Sequence, residues 1–215
     1  MNALRAVHDE LLSAYGPQAW WPADTGFEVM VGAILTQNTA WSNVEKAIAG
    51  LRQADLLEAE AIRTSTDDQL AQCIRPSGYF NVKAKRLKYF CEWYVQAGGF
   101  EKLAQTETGR LRTSLLGING IGPETADDMM LYAFERPVFV IDAYTRRLLS
   151  RLGLCKGDEP YDELRRWCEG ELGEDVPLYN EFHALIVRHA KERCSKRGPS
   201  CHACTLQPGC AYAAA

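Results

Sequence analysis

Apolar residues recur three and four positions apart along almost the whole chain. The segments FEVMVGAILTQ (27–37), VEKAIAGLRQA (44–54), KRLKYFCEWYVQ (85–96), TADDMMLYAFE (125–135), AYTRRLLSRLG (143–153), YDELRRWCEGEL (161–172) and NEFHALIVRHAK (180–191) all carry this spacing. It is the period of helices that bury one face. Gly, Pro, Asn and Ser interrupt it at 16–17, 76–78, 98–99, 117–123 and 157–160, where turns are expected. One run, PVFVID (137–142), reads as a strand by composition but has no partner strand, so a buried connector is expected there. The pattern predicts an all-α protein without repeats or low-complexity segments.

The chain has 215 residues, enough for one or two domains with a hydrophobic core. No apolar run is long enough to span a bilayer, and the opening MNALRAVHDELLSAYG is an amphipathic helix rather than a signal peptide. A cytoplasmic, nucleoid-associated protein is expected, with no membrane partner. The net charge of −4 argues against a uniformly basic nucleic-acid binder, but its distribution matters more. RPSGYFNVKAKRLK (75–88) holds five basic residues and no acid. Arg146, Arg147 and Arg151 form a second cluster, and Arg188, Lys191, Arg193, Lys196 and Arg197 a third. Together they suggest local anion-binding faces.

Eight cysteines are present. Cys73, Cys91, Cys155 and Cys168 lie within helical patterns and read as reduced thiols, mostly buried. The tail CSKRGPSCHACTLQPGC brings Cys194, Cys201, Cys204 and Cys210 together in a C-x6-C-x2-C-x5-C pattern. Four such thiols fit either a zinc site or an iron–sulfur cluster, and spacing alone does not choose between them.

The stretch LGINGIGPETADD (116–128) reads as helix, tight turn, helix. Gly120 and Gly122 can adopt backbone angles closed to other residues, and Pro123 suits the first turn of a helix. A helix start with bare N–H groups binds phosphate. Asp142 follows 20 residues after Gly122, where it can cap the next helix or serve as a carboxylate near the hairpin.

The hairpin GINGIGPETA, then VIDAYTRRL, then the four-cysteine tail resemble, in order and spacing, the endonuclease III family of helix–hairpin–helix DNA glycosylases. The resemblance covers nearly the whole chain. It implies a two-lobed all-α fold with the DNA cleft between the lobes and a C-terminal [4Fe–4S] cluster loop held by Cys194, Cys201, Cys204 and Cys210. The expected division is a six-helix barrel over 20–135 and a second domain of 1–19 plus 136–215. The resemblance further implies Asp142 as the catalytic aspartate. Gln37, in LTQNT, would fill the hole left by an extruded base, and Tyr79, in SGYFN, would wedge the opposite side. With Gly120 and Gly122 these are the expected DNA contacts. Lys191 joins them as a phosphate contact, with a pocket-side base as the other reading. His183 and His189 read as packing or surface residues.

One position departs from the bifunctional members. Where they carry the lysine that attacks C1′, this chain has Glu124. A carboxylate cannot form an imine, so lysine-dependent lyase activity is expected to be absent while hydrolysis through Asp142 remains possible. AWWPADTGFE together with LTQNTAW, RPSGYFNVKAKRL and GIGPETADD resembles the 3-methyladenine DNA glycosylase III branch. There an aromatic pocket stacks on an alkylated purine. Carried over, the pocket is Trp20, Trp21, Pro22 and Trp41. Indole faces attract a cationic methylated base by about 2 kcal/mol or more when desolvated. The expected enzyme is a monomeric, monofunctional glycosylase acting on double-stranded DNA that contains damaged bases. The alternatives are an endonuclease III-like glycosylase for oxidised or mismatched pyrimidines, and a non-catalytic binder of damaged DNA.

Overall fold

Helices take up every segment with the three–four period in the computed structural model of the protein, which describes residues 2–214 and holds no strand among them. In chain order the α-helices are α1 (Ala3–Tyr15), α2 (Gly26–Thr36), α3 (Trp41–Gln53), α4 (Ala59–Thr64), α5 (Asp67–Cys73), α6 (Phe80–Gln96), α7 (Gly99–Ala104), α8 (Thr108–Leu116), α9 (Pro123–Asp128), α10 (Ala143–Arg151), α11 (Tyr161–Leu172), α12 (Val176–Glu192) and α13 (Ala211–Ala214). They fall into two units. One comprises Ala23–Phe134; the other joins Met1–Pro22 to Glu135–Ala215.

In the unit of Ala23–Phe134, α2 is the central helix. Every residue from Glu28 to Leu35 on it is buried. A helix apolar on all sides must be surrounded, and α3, α6, α9 and the turn after α9 pack against it. Thr25 starts it by accepting the Glu28 N–H at 3.1 Å, and the buried Glu28 carboxylate accepts from Arg52 at 2.7 Å. Phe27, Phe90 and Tyr94 form an aromatic cluster between α2 and α6. The helix begun by α9 widens to a π turn over Met129–Ala133, whose apolar residues lie buried.

In the second unit, α1 and α10 pack on α12. Leu4, Leu11, Phe139, Tyr179 and Phe182 fill its core with no exposed surface. The 137–142 connector runs through this core without regular structure, although Val138, Phe139, Val140 and Ile141 are all buried. Buried N–H groups need partners, and side chains of α11 supply them. Glu169 accepts from Phe139 N at 3.0 Å, and the Tyr161 hydroxyl from Ile141 N at 3.3 Å. That is why an apolar β-like run forms no sheet. No helix among the described residues is long and apolar enough to cross a membrane.

Candidate functional site

The hairpin links α8 to α9. Gly120 takes φ +89°, the left-handed region that favours glycine. A Cβ there would lie 2.4 Å from Cγ of Arg86, so the turn also needs the missing side chain. Gly122 is extended, caps α9 without a side-chain bond, and has open space where a Cβ would stand. Ile118 and Ile121 anchor the loop inward. Arg112 clamps the two helices by donating to both carboxylate oxygens of the fully buried Asp127, at 2.7 and 3.1 Å. Such a fork-to-fork bond fixes orientation as well as distance. Glu124 is exposed at the second position of α9.

Gln37 caps the end of α2 and reaches this hairpin. Its Nε2 donates to Gly120 O at 3.1 Å and to Thr125 Oγ1 at 2.9 Å, and its Oε1 accepts from Arg86. The LTQNT segment and the hairpin are thus one hydrogen-bonded surface. Tyr79 precedes α6 in the left-handed region, φ +47°, with 72% of its surface exposed. A bulky residue held there costs free energy, and the ring it projects packs on almost nothing. Trp41 opens α3 in the same unit and is half-buried.

In the other unit, Asp142 is the N-cap of α10. Its Oδ1 accepts the Thr145 N–H at 2.6 Å, and it is only 9% exposed. Its second oxygen lies 3.6 Å from Nε2 of the buried His183 on α12. That distance is long for a hydrogen bond but short for a charge interaction. Burial raises the carboxyl's pKa. The His183 imidazole and the Thr145 amide outweigh this, so it titrates below its usual value. Asp142 is therefore held as a buried carboxylate. His183 was expected to serve packing or the surface. Its place beside Asp142 joins residues 41 positions apart, which helical periodicity cannot reveal.

Trp20 and Trp21 are half-buried and meet edge to face, with ring centroids 6.0 Å apart, and Pro22 beside them is exposed. Lys191 is exposed, and its ammonium lies 6.0 Å from the ring centre of Tyr144, two residues after Asp142.

The four tail cysteines line one cavity with Leu148, Leu152, Pro199 and Leu206. Among the described residues, no three His, Cys, Asp or Glu groups converge as one metal ion requires. Four thiols on one cavity wall offer the donor chemistry of either a zinc ion or an iron–sulfur cluster. Arg151 Nη1 donates to Cys194 Sγ at 3.2 Å. His189, also expected to be packing or surface, is fully buried with Nε2 3.5 Å from Cys204 Sγ and Nδ1 2.9 Å from the Tyr15 hydroxyl. Burial, with Arg193 nearby, brings its pKa down to about 4, so the ring is neutral.

The basic clusters need correcting as surfaces. Arg147 and Arg151 donate to backbone carbonyls of 194–196, and Arg146 to that of Glu159. Lys83 is 1% exposed, and Lys88 pairs with Asp67 at 2.6 Å. These charges hold the fold's own loops. Lys85, Lys191, Lys196 and Arg197 stay exposed.

Comparison with known proteins gives this arrangement a context. Residues 31–173 match the model of the HhH-GPD superfamily of base excision DNA repair proteins. A Methanocaldococcus jannaschii protein named, provisionally, as a DNA repair glycosylase is 48% identical over 207 residues, covering 95% of this chain and 94% of its own. The structure of H. pylori 3-methyladenine DNA glycosylase bound to 1,N6-ethenoadenine superposes with a TM-score of 0.75 at 33% identity, over 88% of this chain and 94% of that one. A non-covalent endonuclease III–DNA complex shares the fold with a TM-score of 0.84 at 20% identity, over 98% of this chain and 95% of that one. The helix–hairpin–helix that carries Gly120 and Gly122, and the capping Asp142 beyond it, both fall inside the matched span, and the chain belongs to the HhH-GPD superfamily of base excision DNA repair glycosylases.

Proposed function

We propose that this glycosylase is monofunctional and releases alkylated purines, 3-methyladenine among them, from duplex DNA to leave an abasic site. The observation that carries the reading is the state of Asp142. It is a buried carboxylate held ionised, and by the family resemblance Glu124, in the first turn of α9, replaces an imine-forming lysine. Breaking the glycosidic bond builds positive charge at C1′, which a fixed carboxylate stabilises. Water then adds to C1′ and gives up a proton, while the base leaves with the bonding electron pair. A purine methylated on a ring nitrogen departs as a neutral molecule, so it needs no strong general acid.

The aromatic side chains support the substrate class. An extruded base is held by stacking; the adjoining indoles of Trp20 and Trp21, and by the resemblance Pro22 and Trp41, would offer faces that attract a cationic base. The H. pylori relative was solved with an alkylated-type adenine, 1,N6-ethenoadenine, bound. Gln37 and Tyr79 would enter the duplex, and the hairpin glycines and Lys191 would hold its backbone. Cys194, Cys201, Cys204 and Cys210 would hold a [4Fe–4S] cluster. Such a cluster would tie the C-terminal loop together and would supply no acid or base to the reaction.

The test is base release from methylated duplex DNA, with strand nicking scored before and after alkali. Free 3-methyladenine with nicks only after alkali is the expected result. Release of thymine glycol or mismatched pyrimidines in its place would move the substrate to the pyrimidine class. Binding without release of any base would overturn the enzymatic reading.

A further inference from the structure

Lys83 is one of the largest fully buried side chains in the protein, with 1% of its surface exposed. Its ammonium makes two bonds, both to backbone oxygens: Leu35 O at 2.8 Å and Ser77 O at 2.7 Å. A sealed cation without a carboxylate among these partners is an expensive way to fill a core. Methionine would fill the same space. What the ammonium adds is geometry, because one nitrogen fixes the separation of two carbonyls.

The two carbonyls occupy matching places. Leu35 lies in the last turn of α2, where helix carbonyls lack intrahelical partners and the dipole end is negative. Two residues on is Gln37, the cap of that helix. Ser77 ends a single 3-10 turn, Arg75–Ser77, and two residues on is Tyr79. Between them the chain turns through positive φ at Gly78 and again at Tyr79. Each residue expected to enter DNA therefore leaves the barrel two positions beyond a carbonyl tied to the same nitrogen. One helical turn along α6, Arg86 holds the side chain of Gln37.

We propose that Lys83 is a positioning residue that sets the spacing of Gln37 and Tyr79, so that the two enter the duplex as one unit. The proposal rests on the reading that these two residues penetrate DNA. It does not depend on which base is excised.

The test uses a duplex with a tetrahydrofuran abasic analogue opposite 2-aminopurine. Filling of the hole and wedging of the orphaned base change the 2-aminopurine fluorescence at saturating protein, whatever the affinity. The wild-type protein, Lys83→Met and Lys83→Arg are compared, each checked for helix content by circular dichroism. The expected result is a Lys83→Met protein that still saturates the duplex but loses most of the fluorescence change, with substantial recovery in Lys83→Arg. The combined variant Gln37→Ala with Tyr79→Ala should lose the change as well, and adding Lys83→Met to it should have no further effect. A full fluorescence change in saturated Lys83→Met overturns the proposal. If Lys83→Met does not fold, Lys83→Gln, too short to reach both carbonyls, takes its place with the same two outcomes. Absence of any change with the wild-type protein removes the premise, and the proposal with it. The alkylpurine reading is judged separately, by base release from methylated DNA.

Discussion

Oδ1 of Asp142 accepts the backbone N–H of Thr145 at 2.6 Å, so one carboxylate both starts α10 and faces His183 with its other oxygen. The two roles can be separated. Asparagine caps helices as well as aspartate does but carries no charge. Asp142→Asn should unfold in urea within about 1 kcal/mol of the wild type. Its base release should fall by about 100-fold or more. Single-turnover excision beside an unfolding curve checks both. Comparable losses in activity and stability would mean that the carboxylate serves only the fold. The acid limit follows from the same residue. Its folded pKa is depressed, so its contribution to stability is present above the ordinary carboxylate value of about 4 and is lost as pH falls through the lower, folded one.

The hairpin glycines should respond differently from one another. At Gly120, alanine must adopt φ +89° and place its Cβ 2.4 Å from Arg86, which would have to release Gln37. Backbone strain alone predicts a loss of about 1–3 kcal/mol. At Gly122 the backbone suits any residue and nothing lies within 4 Å. Gly122→Ala should stay within about 1 kcal/mol of wild type yet bind duplex DNA more weakly, because the methyl group stands where phosphate would approach. Denaturation and salt-controlled binding measurements on the two variants test the contrast. Unchanged affinity in Gly122→Ala would remove the hairpin from the DNA surface.

These contrasts mark what was readable in the sequence. The helices were legible because burial of one face imposes a period on each, and the hairpin because its turn needs glycine at Gly120, although Gly122 turns out to hold an ordinary extended angle. Asp142 was legible as a possible cap because aspartate suits the position before a helix, but the sequence left a second role as a carboxylate near the hairpin equally open. Charges were read less well. RPSGYFNVKAKRLK looks like a solvated basic face, but Lys83 within it is sealed and Arg86 faces Gln37. Arg147 and Arg151 look like phosphate contacts, but they satisfy carbonyls of the cysteine loop. Burial of a cation on long-range carbonyls leaves no trace in local pattern. The approach of His183 to Asp142 and of His189 to Cys204 is likewise tertiary, set by how α12 packs.

Lys83 also predicts a signature in alkali. Burial, with Arg86 nearby, lowers its pKa from 10.5 to about 8. Between these values the unfolded chain holds a proton that the folded one does not, so this residue makes stability rise with pH across that window. Below about pH 8 both states are charged and the desolvation cost is constant. The stability of wild type relative to Lys83→Met should therefore be flat up to about pH 8 and then increase by up to about 3 kcal/mol as pH approaches 10.5. Tyrosine and cysteine titrations are common to both proteins and cancel in the difference. Urea unfolding at several pH values supplies the measurement. A difference that falls over this range would show that the folded state prefers the protonated amine.

The cysteine cavity makes the last prediction. Four thiols line it, Arg151 lies against Cys194, and Arg147 and Arg151 together bond the carbonyls of residues 190 and 194–196. The loop around this cavity is built from two single 3-10 turns and little else, Cys201–Ala203 and Gln207–Gly209. So short a loop has little apolar surface to hold it, and an occupant bonded to all four thiols would supply what packing does not. Protein purified without oxygen should contain iron and acid-labile sulfide in equal amounts and show broad visible absorption. Cys201→Ser should lose most of both, together with several degrees of melting temperature, while Cys91→Ser, which alters a buried thiol outside the cavity, should keep its iron. Zinc in place of iron and sulfide would mean that the four thiols close on a single ion.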